Sequence, residues 1–102
     1  MSLSLQVIYP VSDRSQFDMN YYQNTHLPMV SDHMGQHIQS FIVTHGLAGG
    51  PDTPPGYHAV ATLLFSDQAE MDAALAAAGP VLDDIPNFTN VSPDMLIGEV
   101  IS

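Results

Sequence analysis

The sequence predicts an α+β fold with an antiparallel sheet, and two observations support this prediction. Apolar residues alternate with a period of two in four segments and follow a helical spacing in two others. These segments follow one another as β-α-β-β-α-β, which is the order of the ferredoxin-like plait. With 102 residues, the chain has room for one such domain, spanning residues 1–102, and not for two.

The first half of the chain contains a strand, a helix and a second strand. Alternating apolar residues predict a first strand that ends at Pro10. The pattern Ser15-x-x-Asp18 resembles a capping box and predicts a helix over residues 17–26. We expect Pro28 to end this helix, because the residue before a proline is steered away from helical dihedral angles. Residues 29–37 could form a further helical turn, and the second strand is predicted over residues 38–45.

The second half repeats this arrangement after a loop. Residues 46–56 are rich in glycine and proline and predict a surface loop at the tip of a hairpin. A third strand follows over residues 57–65. The acidic cap of residues 67–70 predicts a helix through Ala78, with one more helical turn before Pro86. The last strand is predicted over residues 95–101.

Both faces of the predicted sheet carry apolar side chains. In the third strand, Val60 and Leu64 lie on the opposite face from Ala61 and Leu63. Helices cover one face of a plait, so the second apolar face needs another cover. Because so short a chain has no spare element, we predict a homodimer whose two sheets pack face to face.

The charge balance excludes several classes of partner. The chain has eleven acidic residues and one basic residue, Arg14, which gives a formal net charge of −10. A protein with so few basic side chains is not expected to bind nucleic acid or anionic membranes. The absence of cysteine excludes disulfides, thiolate catalysis and iron–sulfur ligation. The N-terminal residues lack the pattern of a signal peptide and no apolar run has membrane-spanning length, so we expect a cytoplasmic protein.

His26 is the strongest candidate for chemistry. It lies at helical spacing from Met19 and Tyr22, so the three side chains share one face of the predicted helix. A histidine near a helix C-terminus is stabilised by the helix dipole when it is protonated, which is a purely structural role. The functional alternative is a general acid or base, because the unperturbed pKa of histidine is close to neutral pH.

The other titratable residues have less support. His33 and His37 are four residues apart, but no third ligand stands at a fixed spacing, so we predict no metal site. His45 and His58 are either cross-strand neighbours or strand residues at a boundary with water or a second subunit. Glu99 is an acid–base candidate if it points inward, and its alternative is an exposed strand end. The neighbouring acidic residues Asp83 and Asp84 are predicted to be solvated.

Three segments of the chain resemble the EthD family. They are Phe17-Asp18-x-x-Tyr21-Tyr22-x-x-x-His26-x-Pro28, Phe65-Ser66 before an acid-capped alanine-rich helix, and Asp84-Ile85-Pro86-Asn87-Phe88-Thr89-Asn90. The resemblance implies a dimeric α/β barrel and maps the histidine of the family onto His26 and its aromatic pair onto Tyr21 and Tyr22. EthD-like proteins are associated with bacterial degradation of ethers and other small organic compounds. Looser relatives include monooxygenases that need no cofactor, cyclases, isomerases and haem-handling proteins.

We therefore expect a protein that binds a small neutral apolar or aromatic compound between helices and sheet, and our first hypothesis is an enzyme that transforms it. His26 and Tyr22 are the predicted catalytic residues, and Tyr21, Met19 and Phe88 are predicted to contact the substrate. No cofactor is predicted. A haem role would need an axial ligand, for which His26 or His58 could be proposed. The alternative function is a non-catalytic accessory or carrier protein for a hydrophobic metabolite.

Overall fold

The computed structural model describes residues 2–102, which form four strands and four α-helical segments. The strands are β1 (Leu3–Pro10), β2 (Ser40–His45), β3 (Tyr57–Phe65) and β4 (Asp94–Glu99). The helices are α1 (Met19–Tyr21), α2 (Leu27–Met34), α3 (Gln68–Ala76) and α4 (Gly79–Asp84). A π-helical turn occupies Tyr22–His26, and 3₁₀ turns occupy Gly35–His37 and Ile85–Asn87. Within residues 2–102, every helix is too short or too polar to cross a bilayer.

The four strands form one antiparallel sheet in the order β2-β3-β1-β4. This is the strand order of the ferredoxin-like plait, so the predicted α+β fold class is confirmed. The register sets Leu5 of β1 opposite Leu63 of β3 on one side and Ile97 of β4 on the other. Residues directly opposite each other share a face, so these three side chains point towards the same side of the sheet.

The helices cover that face and enclose the core. The buried strand residues alternate along β3, because successive side chains point to opposite faces. The main buried cluster joins the sheet to α2, α3 and α4 and consists of Leu5, Val30, Met34, Ala61, Leu63, Phe65, Met71, Ala74, Ala78 and Val81. A second cluster lies at one end of the sheet and contains Tyr9, Tyr22, Ala59 and Phe88.

The helices leave the opposite face of the sheet uncovered. A row of side chains crosses this face in the order Leu96, Gln6, Thr62 and Ile42. The amide of Gln6 donates a hydrogen bond to the Thr62 hydroxyl at 3.2 Å in the centre of the row. At its two ends, Leu96 is 55% exposed and Ile42 is 68% exposed.

The predicted boundaries are right for β3 and for the end of β1 at Pro10, and they shift by a few residues elsewhere. β2 begins at Ser40 rather than at residue 38, because the preceding residues close a 3₁₀ turn. β4 runs from Asp94 to Glu99 instead of reaching residue 101. The Asp67 side chain caps α3 by accepting a hydrogen bond from the Glu70 backbone N–H at 2.9 Å, as predicted.

The prediction that Pro28 ends the first helix is wrong. The helical backbone continues through Pro28, which is in the first turn of α2, and ends at Met34. Proline is tolerated in the first turn of a helix because the N–H groups of that turn make no hydrogen bond within the helix. The π-helical turn ends directly before α2, where the Leu27 N–H donates to the carbonyl of Tyr22, five residues back.

The predicted capping box does not form, because Asp18 rather than Ser15 caps the helix. The Asp18 carboxylate accepts a hydrogen bond from the Tyr21 N–H at 3.1 Å. Ser15 instead closes a turn with Ser12. Its hydroxyl also lies 2.8 Å from Nε2 of His58.

The Asp84–Asn90 segment fastens the end of α4 to the chain before α1. The Thr89 hydroxyl donates to the carbonyl of Gln16 at 2.6 Å. The Asn90 side chain accepts from the Gln16 N–H at 2.8 Å and donates to the carbonyl of Arg14 at 2.9 Å. These bonds hold the end of the segment beside the residues that lead into α1.

Candidate functional site

An apolar cavity lies between the helices and the sheet. Its volume is about 80 Å³, and its lining side chains are apolar except for His26, Tyr9 and Tyr22. The exposed side chains of Leu75 and Leu82 belong to the lining, so the cavity reaches the protein surface. A space of this size is larger than one water needs and about half of the ~150 Å³ that holds benzene in an engineered protein cavity. A ligand of more than a few atoms must therefore extend into the mouth.

His26 lies in the wall of this cavity and is held by Asp84. The π-helical turn carries the imidazole, which is 3% exposed. Its Nδ1 atom lies 2.9 Å from Oδ2 of Asp84, the last residue of α4. The histidine and the carboxylate come from separate helical segments, so packing of the helices against each other brings the pair together.

The Asp84 carboxylate accepts hydrogen bonds from two further side chains. The Tyr21 hydroxyl donates to Oδ1 at 2.7 Å, and the Asn87 amide donates to the same oxygen at 3.0 Å. Burial acts to raise the pKa of Asp84 and is the largest single effect. The hydrogen bonds from Asn87, Tyr21 and His26, and the charge that His26 carries when it is protonated in acid, together outweigh it, so the pKa lies below 3.8. Asp84 is therefore ionised at neutral pH.

His26 is a neutral imidazole at neutral pH. Burial is the largest effect on its pKa and lowers it below 6.5, while the hydrogen bond to Asp84 and its negative charge act in the opposite direction without overcoming burial. Asp84 has only acceptor atoms, so Nδ1 carries the ring proton and donates it. The second nitrogen, Nε2, is then an acceptor with a free lone pair. This arrangement suits a general base.

Aromatic rings surround the imidazole. Tyr22 stacks on it with ring centroids 5.6 Å apart and planes 16° apart. The Phe88 ring lies closer, at 4.5 Å between centroids. These contacts keep water away from one side of His26, which is the physical origin of its lowered pKa.

The structure brings the predicted site residues together only in part. His26 and Tyr22 both line the cavity. Tyr21 binds Asp84, and its hydrogen bond to that carboxylate is the first cause of its raised pKa. Met19 packs in the second core cluster beside Tyr22. Phe88 contacts the imidazole but does not line the cavity, and it borders a shallow surface depression next to Asn90.

Asp84 is the site residue for which the sequence-based prediction is wrong. The sequence predicts that it is solvated like its neighbour, but Asp84 is 7% exposed whereas Asp83 is exposed. The spacing of the short helix α4 turns the two side chains in different directions. Two of the three partners of Asp84, Tyr21 and His26, are distant in sequence, so composition alone gives no sign of them. Its place at the start of the Asp84–Asn90 segment is the signal that could have indicated it.

The remaining candidates lie away from the cavity. His33 is exposed, and Nδ1 of His37 lies 3.3 Å from a carboxylate oxygen of Glu70. His45 stands opposite Ala59, so it is not the cross-strand partner of His58. Glu99 is exposed on β4, which agrees with the alternative of an exposed strand end.

The residues present do not fit a haem or a metal ion. A cavity of about 80 Å³ is far smaller than the ~300–1,000 Å³ of pockets that hold drug-sized ligands, and a porphyrin exceeds it. Nε2 of His58 lies within hydrogen-bond distance of the Ser15 hydroxyl, and its ring stacks on Phe17, so this nitrogen is not free to bind an iron atom. Among residues 2–102, no group of three histidine or acidic side chains is arranged to hold a metal ion.

Solved structures share this fold over nearly the whole chain. An EthD-like protein from Ralstonia eutropha JMP134 is 31% identical, with a TM-score of 0.87, and the match covers 99% of this chain and 93% of that one. An ethyl tert-butyl ether D family protein from Bacillus halodurans C-125 is 19% identical, with a TM-score of 0.76 and coverage of 99% and 100%. SnoaB, a cofactor-independent oxygenase from Streptomyces nogalater, is 12% identical, with a TM-score of 0.61 and coverage of 99% and 94%.

The sequence comparisons give a family. No protein with a curated description matches the chain. The family model of the EthD domain matches residues 12–92, a range that includes His26, Tyr21, Tyr22 and the Asp84–Asn90 segment. This match extends over most of the chain and agrees with the resemblance of the sequence motifs. The chain belongs to the EthD family.

Proposed function

We propose that this protein binds a small neutral apolar or aromatic compound in the cavity and that His26 removes a proton from it. The observation that carries the proposal is the Asp84–His26 pair in the wall of an otherwise apolar cavity. Asp84 fixes the tautomer of the imidazole, which leaves Nε2 as the acceptor. A neutral histidine whose orientation is held by a carboxylate is a common arrangement for general-base catalysis.

The charge distribution favours a neutral ligand. Among residues 2–102, no lysine or arginine lines the cavity, and Arg14, the one such residue of the chain, is exposed outside it. An anionic compound would enter a low-dielectric site without a counter-charge, which is costly. It would also approach a protein with a net charge of −10.

The proposed chemical step is a proton transfer. A C–H or O–H bond of the ligand breaks, the proton moves to Nε2 of His26, and the electron pair stays on the ligand. Asp84 remains ionised and stabilises the imidazolium that forms. Tyr22 stacks on the imidazole and contributes to its orientation. Such a step needs no bound cofactor. SnoaB, which shares the fold, is named a cofactor-independent oxygenase.

Replacement of His26 by glutamine tests this function. The protein is incubated in D₂O with a panel of alkyl aryl ketones, and conversion is followed by mass spectrometry as the exchange of the C–H next to the carbonyl for C–D. We expect His26→Gln to lower the conversion rate of any accepted compound about 10²- to 10⁴-fold, the usual contribution of a positioned base. Because the base must be neutral, the rate should rise with pH through a midpoint below 6.5.

His33→Gln is the matched control, since His33 is an exposed histidine of α2. Its conversion rate should equal that of the wild type. Equal rates for wild type and His26→Gln would contradict the proposal. A rise in melting temperature with a panel compound that is recovered unchanged would instead support the carrier function.

We also propose that two copies of the chain associate through the uncovered face of the sheet. The side chains at the ends of its central row, Leu96 and Ile42, are apolar and more than half exposed. The row between them is uncharged, so a second copy can pack on it without burying an unpaired charge. Isolated exposed apolar residues are common, but two of them at the ends of one uncharged row across a sheet face are typical of an interface.

Light scattering at micromolar concentration tests the association. We expect a mass about twice that of the 11.0 kDa chain. Leu96→Asp, which places a charge on the proposed interface, should give the monomer mass. Leu47→Asp is the control, because Leu47 is 81% exposed in the hairpin loop. A wild-type protein of monomer mass would refute the homodimer.

A further inference from the structure

Three buried polar groups of the cavity wall have no hydrogen-bond partner among residues 2–102. They are Nε2 of His26, the Tyr9 hydroxyl and the Tyr22 hydroxyl, in residues that are 3%, 2% and 1% exposed. The hydrogen bond from His26 to Asp84 uses only Nδ1, and neither hydroxyl bonds to another described residue. Buried tyrosine hydroxyls usually find a partner.

These groups are accessible rather than sealed in the core. In the part of the chain that the structure describes, no enclosed side-chain nitrogen or oxygen lacks a hydrogen-bond partner. The two hydroxyls are therefore accessible to water, and both tyrosines line the cavity. Tyr9 comes from β1 and Tyr22 from the helical turn that carries His26, so the sheet and the helices each contribute one hydroxyl.

We propose that Tyr9 and Tyr22 form a binding subsite for one oxygen atom of the ligand, next to the base His26. This inference rests on the proposed function and narrows its ligand to a neutral compound with an apolar body and one enol, phenol or ketone oxygen. Tyr9 becomes a substrate-binding residue that the sequence motifs do not indicate.

The chemistry of the three groups is complementary. Burial raises the pKa of both tyrosines, and the nearby Tyr22 raises the pKa of Tyr9 further. Both hydroxyls therefore stay protonated and can donate a hydrogen bond. When His26 takes the proton of an enol or of a carbon next to a ketone, negative charge develops on the ligand oxygen. Two neutral donors at that oxygen stabilise the charge.

Binding of phenol and toluene, which have the same number of heavy atoms, tests the subsite by calorimetry. The measured quantity is the ratio of the two dissociation constants, Kd(toluene)/Kd(phenol). Loss of one hydrogen bond to the phenol oxygen in Tyr9→Phe should lower this ratio about 2- to 10-fold, with toluene binding unchanged. Tyr22→Phe should have a similar effect.

Tyr57→Phe is the matched control, because Tyr57 is 51% exposed and lies outside the cavity. Its ratio should equal that of the wild type. The melting temperature of Tyr9→Phe should be unchanged or higher, since the lost hydroxyl makes no hydrogen bond to the described residues. A fall would indicate a structural role for this hydroxyl.

Three results would overturn the subsite: a wild-type protein that does not bind phenol, an unchanged ratio in Tyr9→Phe, or a melting temperature that falls in this variant. The experiment measures binding alone, so it is separate from the test of the base. Loss of conversion in His26→Gln with an unchanged ratio in Tyr9→Phe would retain the proposed function and remove the subsite. A ratio that is lowered in Tyr9→Phe, in a protein that converts none of the compounds, would retain the subsite and remove the proposed function.

Discussion

Asp84→Asn should disable His26 as a base while the fold remains intact. An amide at this position cannot accept three hydrogen bonds as the carboxylate does, and its NH₂ group facing Nδ1 would force the ring proton to Nε2. The conversion rate should then fall by about 10²- to 10⁴-fold, as for loss of the base itself. Ring-nitrogen NMR shifts of His26 would report the change of tautomer without any knowledge of the substrate.

The same substitution should also lower the free energy of unfolding by about 1–3 kcal/mol, because a buried acceptor of charge-assisted hydrogen bonds is lost. The folded-state pKa of Asp84 is below 3.8, so its contribution is present above that pH and is lost as the pH falls through the lowered pKa. The difference in the free energy of unfolding between wild type and Asp84→Asn, measured by urea denaturation, should therefore become smaller in acid.

Asp83→Asn is the control for both measurements, since it removes the neighbouring carboxylate from an exposed position. It should leave the tautomer of His26 and the free energy of unfolding unchanged. If Asp84→Asn and Asp83→Asn gave the same ring-nitrogen shifts, the role assigned to Asp84 would be wrong.

The fold could be predicted from the sequence because its signals are local. The alternation of apolar residues along β3 and the acidic cap at Asp67 depend on neighbours within a few residues. Pro28 shows where local reasoning fails. The turn before it is π-helical, and the Tyr22 and His26 rings of that turn pack against Phe88, which is distant in sequence.

The site could be predicted only in part, because its geometry is set by contacts between distant segments. His26 and Tyr22 share a helix face, which their spacing reveals. Asp84 is 58 residues from His26 in sequence, and Tyr9 belongs to a strand whose partner residues give no sign of a cavity. The family resemblance includes the Asp84–Asn90 segment but does not indicate which of its residues forms a hydrogen bond with His26.

Phe88 connects the stability of the domain with the chemistry of His26. It is 3% exposed, and its ring contacts several other rings of the second core cluster. The nearest neighbours by ring-centroid distance are His26 at 4.5 Å, Tyr22 at 5.1 Å and Phe17 at 5.3 Å. Removal of this ring opens space beside the imidazole on the side away from the cavity.

We expect Phe88→Ala to lower the free energy of unfolding by about 3–5 kcal/mol, the usual cost of emptying a buried phenylalanine site. The pKa of His26 should rise towards 6.5, since burial is the main cause of its lowering and water would enter the space. Met71→Ala separates the two effects, because Met71 is 1% exposed in the main core cluster and its loss should destabilise without changing that pKa. An NMR titration of His26 that gave the wild-type pKa in folded Phe88→Ala would show that other residues keep water from the imidazole.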